Sequence, residues 1–279
     1  MTSQISDQTI FAAPLSAGDF LESKAQGRRL SMVTCYDYTF ARVLARSAVD
    51  ALLVGDSVAM VVHGHSNTLS ATVALMRMHT EAVARGIEAA GAAKFVVADM
   101  PFLSFRKGIP AALDAAQELM SAGAKALKLE GVDGHEDVIA RLVDSGIPVM
   151  GHLGMQPQSV NAYGGFRVQG RSASAAAEIA RQARALENLG AFALVLECIP
   201  AALAREITES LRIPTIGIGA GAGCDGQILV LQDLLGMNLE FHPRFARRFA
   251  DGARDILDAL ADYDRAVKSG SFPRVEESY

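Results

Sequence analysis

Residues 173–197 run ASAAAEIARQARALENLGAFALVLE, and the two halves of this stretch obey different periods. In the first half Ala175, Ile179, Ala183, Leu186 and Leu189 recur at three- and four-residue spacing, while Glu178, Arg181, Arg184 and Glu187 take the opposite side. That is the period of an amphipathic helix with one buried stripe. Gly190 supplies the stop, because glycine tolerates the left-handed conformation at a helix end. The second half, 192–196, is a short apolar run that suits a strand, and Glu197 closes it. A helix feeding a strand in this way is one βα unit.

The same alternation fills the chain. Short apolar or β-branched runs at 30–34, 51–54, 95–98, 126–129, 148–150, 192–196, 215–218 and 227–231 are separated by segments of helical period. They form one series with no linker, low-complexity tract or repeat in residue identity. Parallel strands closing on themselves in a (β/α)₈ TIM barrel are therefore expected, in preference to an open doubly wound sheet. After Pro243, a stripe of Phe245, Phe249, Ala253, Ile256, Leu257 and Leu260 predicts a long closing helix with the proline near its first turn.

The 279 residues, half of them hydrophobic and one fifth charged, suffice to bury one large core. A single domain over 1–279 is expected, with a short N-terminal extension covering about the first 28 residues. A formal net charge of −5 argues against a polyanion-binding surface, so nucleic acid is not an expected partner. The opening residues lack a basic stretch followed by an apolar one, and no apolar run reaches bilayer-spanning length. Together these predict a cytoplasmic protein with no membrane association. Cys35, Cys198 and Cys224 lie far apart and form no CxxC pair, so they read as small buried hydrophobes rather than zinc ligands or a disulfide framework.

Barrel enzymes build their active sites where the strands end. Here Asp56 and Ser57 follow the second strand, Asp99 follows the third, the fourth carries Lys128 and Glu130, the fifth ends at His152 and the sixth at Glu197. Side chains alternate along a strand, so Lys128 and Glu130 share the lumen face while Leu127 and Leu129 turn under the helices. Taken singly, an Asp after a strand is usually a turn former or a helix cap. Several carboxylates converging on one mouth repel one another unless a cation sits among them. A donor set rich in oxygen and poor in His and Cys points to magnesium rather than zinc.

Tyr36-Asp37-Tyr38, Val54-Gly55-Asp56-Ser57, Ala98-Asp99-Met100-Pro101-Phe102, Lys128-Leu129-Glu130-Gly131, Gly151-His152-Leu153-Gly154 and Pro157-Gln158-Ser159-Val160-Asn161 follow one another along the chain. Gly164-Gly165-Phe166, Val168-Gln169-Gly170-Arg171, Leu196-Glu197-Cys198 and Ile216-Gly217-Ile218-Gly219-Ala220-Gly221, with Asp225-Gly226-Gln227, continue the order. This series resembles the ketopantoate hydroxymethyltransferases (3-methyl-2-oxobutanoate hydroxymethyltransferases) from Met32 almost to the closing helix. The resemblance implies a barrel of the phosphoenolpyruvate mutase/isocitrate lyase type assembled as a homodecamer. It implies transfer of a one-carbon unit from 5,10-methylenetetrahydrofolate to 3-methyl-2-oxobutanoate, giving 2-dehydropantoate on the route to pantothenate and coenzyme A. It also implies Asp56 and Asp99 as direct magnesium ligands with Glu130 in the metal's surroundings, Ser57 and Lys128 at the keto acid, and Glu197 as general base.

The chemistry accounts for such residues. A 2-oxo acid can chelate one cation through its carboxylate and ketone oxygens, which stabilises the enolate formed when carbon 3 loses its proton. Glu197, from a different strand, could take that proton, Lys128 could neutralise the substrate carboxylate, and His152 could hydrogen-bond near the keto group. The run Ser66-Asn67-Thr68-Leu69-Ser70-Ala71-Thr72 departs from the family's usual pattern, as do Cys35 and Val132. Two other readings are open at this level: a magnesium-dependent carbon-carbon lyase acting on a related 2-oxo acid, and a catalytically silent barrel subunit. The lyase class often carries a Cys in the loop after strand three, and 101–108 has none. Gly221, Gly223 and Gly226, with Glu240 beyond, fit G-x-G-x-x-G too late in the chain for a dinucleotide fold and read as a turn. The spacing of His63 and His65 is weak evidence for a metal, and Arg244, Arg247 and Arg248 read as a solvated basic face.

Overall fold

The computed structural model describes residues 16–239 and 243–279. They fall in two compact units, the first running to Ile228 and the second from Leu229 to Tyr279. The first unit begins with α1 (Ala17–Ala25), β1 (Leu30–Thr34), α2 (Tyr38–Leu44), β2 (Ala51–Val54), α3 (Val58–Val61), α4 (Val73–Ala89) and β3 (Phe95–Asp99). It continues through α5 (Ile109–Ser121), β4 (Ala126–Glu130), α6 (Glu136–Asp144), β5 (Val149–Gly154), α7 (Val160–Tyr163) and α8 (Ala173–Asn188). β6 (Ala193–Glu197), α9 (Ala201–Ser210), β7 (Thr215–Ile218) and β8 (Gly226–Leu229) complete the series. The strands close into a parallel barrel in chain order, as the alternation predicts. β5 is longer than its apolar run, because Gly151 and His152 stay in register with both β4 and β6, and Leu153 and Gly154 with β6. β8 is shorter, ending at Leu229.

The lumen follows from the two-residue period of a strand. Leu30 with Met32, Ala51 with Leu53, Phe95 with Val97 and Ala193 with Val195 are two apart, and all join one buried apolar cluster with Ala126, Met150, Ile216 and Ile228. The sequence left the first 28 residues as an extension, yet α1 contributes to this core. Its Phe20 is fully buried with its ring 5.4 Å from Phe95 and 5.2 Å from Phe192. Ser16 starts α1 with a capping box to Asp19. Around the barrel, α8 buries Ile179, Ala183 and Leu186, the stripe read from sequence, and Ser172 caps its N-terminus.

The second unit contains α10 (Leu231–Leu234) and α11 (Gly252–Ser269). The expected closing helix therefore starts nine residues after Pro243 rather than beside it. Phe245 and Phe249 lie in irregular chain, where the Phe249 and Gly252 amides donate to Leu234 and Leu235 carbonyls at 2.8 and 2.7 Å instead of to a helical ladder. No residue of α11 is buried, and Ile256, Leu257, Leu260, Tyr263 and Val267 are exposed. The three cysteines are free; Cys35 and Cys224 are buried as expected, and Cys198 is half-buried. Among the described residues no helix is long and apolar enough to cross a membrane.

Candidate active site

The parity that fills the lumen with apolar side chains carries on to the strand ends. Phe95 and Val97 lead to Asp99, Ala126 to Lys128 and Glu130, Met150 to His152, and Ala193 and Val195 to Glu197. Register then brings neighbours together: Asp99 pairs with Lys128 across β3 and β4, and Glu130 with His152 across β4 and β5. Asp56, Asp99, Lys128, Glu130 and His152 are each at most 5 % exposed, a concentration of buried charge that marks this mouth as the candidate site.

Contacts link them. Lys128 Nζ is 2.9 Å from Asp99 Oδ1 and 3.2 Å from His152 Nδ1. Asp99 Oδ2 accepts the Asp56 amide at 3.0 Å. His152 Nδ1 lies 3.6 Å from Glu130 Oε1, and its Nε2 lies 3.2 Å from Glu197 Oε2. Burial and Lys128 both pull the His152 pKa down, but the carboxylates of Glu130 and Glu197 on either side of the ring outweigh them and push it up to about 9. Lys128 is held protonated because Asp99, Glu130 and Asp56 together overcome the cost of its burial. Asp56 is pushed well above the ordinary carboxylate range, first by burial and then by the charges of Asp99 and Glu130.

Backbone strain supports Glu197. Cys198 follows it at φ +48°, and its amide donates to the Ile218 carbonyl at 2.8 Å, while the Glu197 carbonyl accepts from Met155 at 2.8 Å. Gly154 sits so close that a Cβ there would lie 2.1 Å from that carbonyl. The pKa of the Cys198 thiol is driven up to about 12 by burial and by Glu197.

Two partners of the site carry no signal of their own in the sequence. Gln158 is buried beside it, with Nε2 donating to Asp56 Oδ2 at 2.9 Å and to the Met100 carbonyl at 3.0 Å, and its amide donating to Glu130 Oε2 at 3.0 Å. One neutral residue thus fixes two of the carboxylates. Tyr36, 1 % exposed, has its hydroxyl 2.8 Å from Ser57 Oγ. Burial keeps that phenol protonated, with Asp99 and Asp56 adding to the effect. Both residues lie inside the motif blocks, but an amide and a phenol have no charge pattern to betray them.

The donor set fits a hard cation. Three buried carboxylates face one ammonium and one imidazole, and neither Glu130 Oε1 nor Asp99 Oδ1 has a hydrogen bond, although the latter is ion-paired to Lys128. Unbonded buried carboxylate oxygens are costly unless a cation approaches them. Among the described residues, no three His, Cys, Asp or Glu side chains converge as a complete cage. The fit is thus to an ion held by one or two carboxylates, with substrate oxygens and water completing its shell, the habit of magnesium.

The remaining candidates fall elsewhere. Gly221, at φ +80°, turns the chain between β7 and β8, where its carbonyl accepts from Gln227 Nε2 at 3.0 Å, so the glycine pattern is the tight reversal expected. Glu240 lies outside the described residues. Arg244, Arg247 and Arg248 are exposed, with Arg247 over the Phe249 ring. His65 is exposed, and His63 meets His79. A cavity of about 270 Å³ is bordered by Gly131, Gly154, Arg106, Tyr163 and Gln169; none of the candidate site residues lines it.

The family model for ketopantoate hydroxymethyltransferase matches residues 15–275. A 3-methyl-2-oxobutanoate hydroxymethyltransferase of Bdellovibrio bacteriovorus is 53 % identical over 261 residues, covering 94 % of this chain and 98 % of the relative. Enzymes of the same name are 50 % identical in Coxiella burnetii and 48 % in Francisella tularensis, covering 94 % and 93 % of this chain and 97 % of each relative. Among solved structures, phosphonopyruvate hydrolase with oxalate and Mg²⁺ aligns at TM-score 0.59 and 12 % identity, covering 94 % of this chain and 93 % of that one. The 2,3-dimethylmalate lyase of the phosphoenolpyruvate mutase/isocitrate lyase superfamily aligns at 0.58 and 18 %, covering 95 % and 91 %. Those two likenesses concern the fold alone. Relatives that share about half their residues over nearly the whole length take precedence over the lyase and silent-subunit readings, and the chain belongs to the ketopantoate hydroxymethyltransferase family.

Proposed function

We propose that the acidic barrel mouth moves a hydroxymethyl group from 5,10-methylenetetrahydrofolate to 3-methyl-2-oxobutanoate, forming 2-dehydropantoate, with Glu197 as the general base. The observation that carries this reading is the shared lumen face of Asp99, Lys128, Glu130, His152 and Glu197, which joins a base, an imidazole, an ammonium and two further carboxylates in one chain of contacts. Lys128 neutralises the substrate carboxylate, and Ser57, backed by Tyr36, hydrogen-bonds the keto acid. Asp56 and Asp99 would hold magnesium, with Glu130 in its surroundings; when bound, the ion supplies positive charge for the developing enolate oxygen.

Glu197 Oε2, steadied by His152, takes the proton from carbon 3, and the electron pair of that C–H bond moves toward the keto oxygen. Carbon 3 then bonds to the folate methylene carbon. The two bonds from that carbon to the folate nitrogens break, water supplies the hydroxyl, and the nitrogens take up the proton held by Glu197 and the one left by the water, so that tetrahydrofolate leaves. The cavity bordered by Gly131 and Gly154 offers the second reactant room next to the ends of β4 and β5. We take the enzyme to be cytoplasmic and homo-oligomeric, a decamer by family resemblance; the exposed apolar stripe of α11 supports self-association.

The test is a proton NMR time course of the full chain with both reactants. Hydroxymethyl signals that grow with magnesium and fail with chelator are expected. Their absence from folded, metal-loaded protein would refute the substrate assignment.

A further inference from the structure

On the backbone side of Tyr36, whose hydroxyl meets Ser57, two imidazoles come together beside the connection between β2 and α4. His63, after α3, and His79, on the second turn of α4, have their Nε2 atoms 2.9 Å apart and their rings 79° from parallel. His79 is buried, at 8 % exposure, and its Nδ1 lies 2.5 Å from the Tyr36 carbonyl oxygen. A carbonyl oxygen only accepts, so the ring proton sits on Nδ1 and the Nε2 lone pair of His79 points at His63. A remote N–H tied to a carbonyl is how metal-binding imidazoles are oriented and made more basic.

His63 is exposed on its loop; in the present pair its Nε2–H donates to the His79 Nε2 lone pair, and moving that proton to the solvent side of the His63 ring presents a second lone pair at the same point. Two Zn–N bonds of about 2.0–2.1 Å at a tetrahedral angle hold the nitrogens about 3.3 Å apart. The present 2.9 Å must therefore widen by a few tenths of an ångström, which a loop histidine can supply.

We propose that His63 and His79 form a site for a borderline transition-metal cation such as Zn²⁺ or Ni²⁺, with water completing its shell, separate from the oxygen-rich barrel mouth. Donor chemistry keeps the two apart. Two imidazoles have little to offer magnesium and suit zinc, nickel or copper, whereas Asp56, Asp99 and Glu130 suit hard cations. Loading this site cross-links the loop after α3 to α4. The sequence draws the eye to His63 and His65 across one glycine, but the partner of His63 is His79, sixteen residues along.

The experiment titrates the full chain with Zn²⁺ in excess magnesium, following heat and the imidazole nitrogen signals. One Zn²⁺ per chain is expected, shifting the Nε2 signals of His63 and His79. His63→Gln can still donate an amide N–H to His79, so it should keep the fold while lowering zinc affinity more than about tenfold. His65→Gln should bind as the parent does. Zinc uptake that is unchanged in His63→Gln, or that leaves both ring signals unmoved, would overturn the proposal, as would no uptake at all.

Discussion

Replacing Gln158 with Ala isolates the residue that orients two of the site's carboxylates. The side chain donates to Asp56 Oδ2 at 2.9 Å and to the Met100 carbonyl at 3.0 Å, both buried. A hydrogen bond to a charged group contributes about 1.5–3 kcal/mol, and a buried carbonyl stripped of its donor costs about 1–3 kcal/mol. Part of the first loss is recovered because Asp56 is already pushed toward its neutral form by burial and by Asp99 and Glu130, so about 2–4 kcal/mol overall is expected. In a domain of this size that lowers Tm by roughly 4–16 °C. The same change frees the Asp56 carboxylate to rotate; with Asp56 as the proposed magnesium ligand, losing its partner should cost about 10- to 100-fold in metal affinity or activity. Magnesium titrations of turnover, run beside thermal melts, separate the two effects. The Gln158 amide N–H to Glu130 survives the substitution, so the loop should keep its course. A variant that melts early but needs no more magnesium than the parent would refute the claim that Gln158 orients a metal-binding carboxylate.

Lys128→Met leaves Asp56, Asp99 and Glu130 without their ammonium; a loss of about 3–5 kcal/mol is expected in chelated protein, with partial rescue by magnesium, as read by melts in both conditions. His152 should titrate near 9 in metal-free protein by NMR, and Glu197→Gln should lower that value. Because the folded pKa is raised above about 6.5, the stabilisation from His152 is full below that pH and fades as pH climbs toward 9, so denaturant midpoints of chelated protein should fall across that window. Phe20→Ala should cost about 3–5 kcal/mol, measured by denaturant melts, because its ring packs against Phe95 and Phe192 in the core; a change under about 1 kcal/mol would make α1 a mere extension.

The barrel and most of its mouth are legible in the sequence because one rule governs both. A two-residue period that keeps Phe95 and Val97 in the lumen must also put Asp99 there, and the same holds for Ala126, Lys128 and Glu130. What stays hidden depends on contacts between distant segments. Gln158 acts through hydrogen bonds to Asp56, Met100 and Glu130, and Tyr36 through its contact with Ser57, all distant along the chain, which no local pattern encodes. Phe20 is one aromatic in a nine-residue helix, too little for periodicity to mark as core. The stripe through Phe245 and Phe249 keeps helical spacing, yet the amides of that stretch are taken by α10, and tertiary hydrogen bonding overrides the pattern. His63 is noticed for the wrong neighbour, since its partner lies on another element.

The central claim is that Glu197 removes the carbon 3 proton. Its most direct test is exchange of the methine hydrogen of 3-methyl-2-oxobutanoate in D₂O, without folate, in magnesium-loaded parent and Glu197→Gln proteins. The account predicts exchange in the parent and a loss of about 10²- to 10⁴-fold in the variant, with keto acid binding retained. Equal exchange in both proteins would contradict it and move the base elsewhere in the mouth.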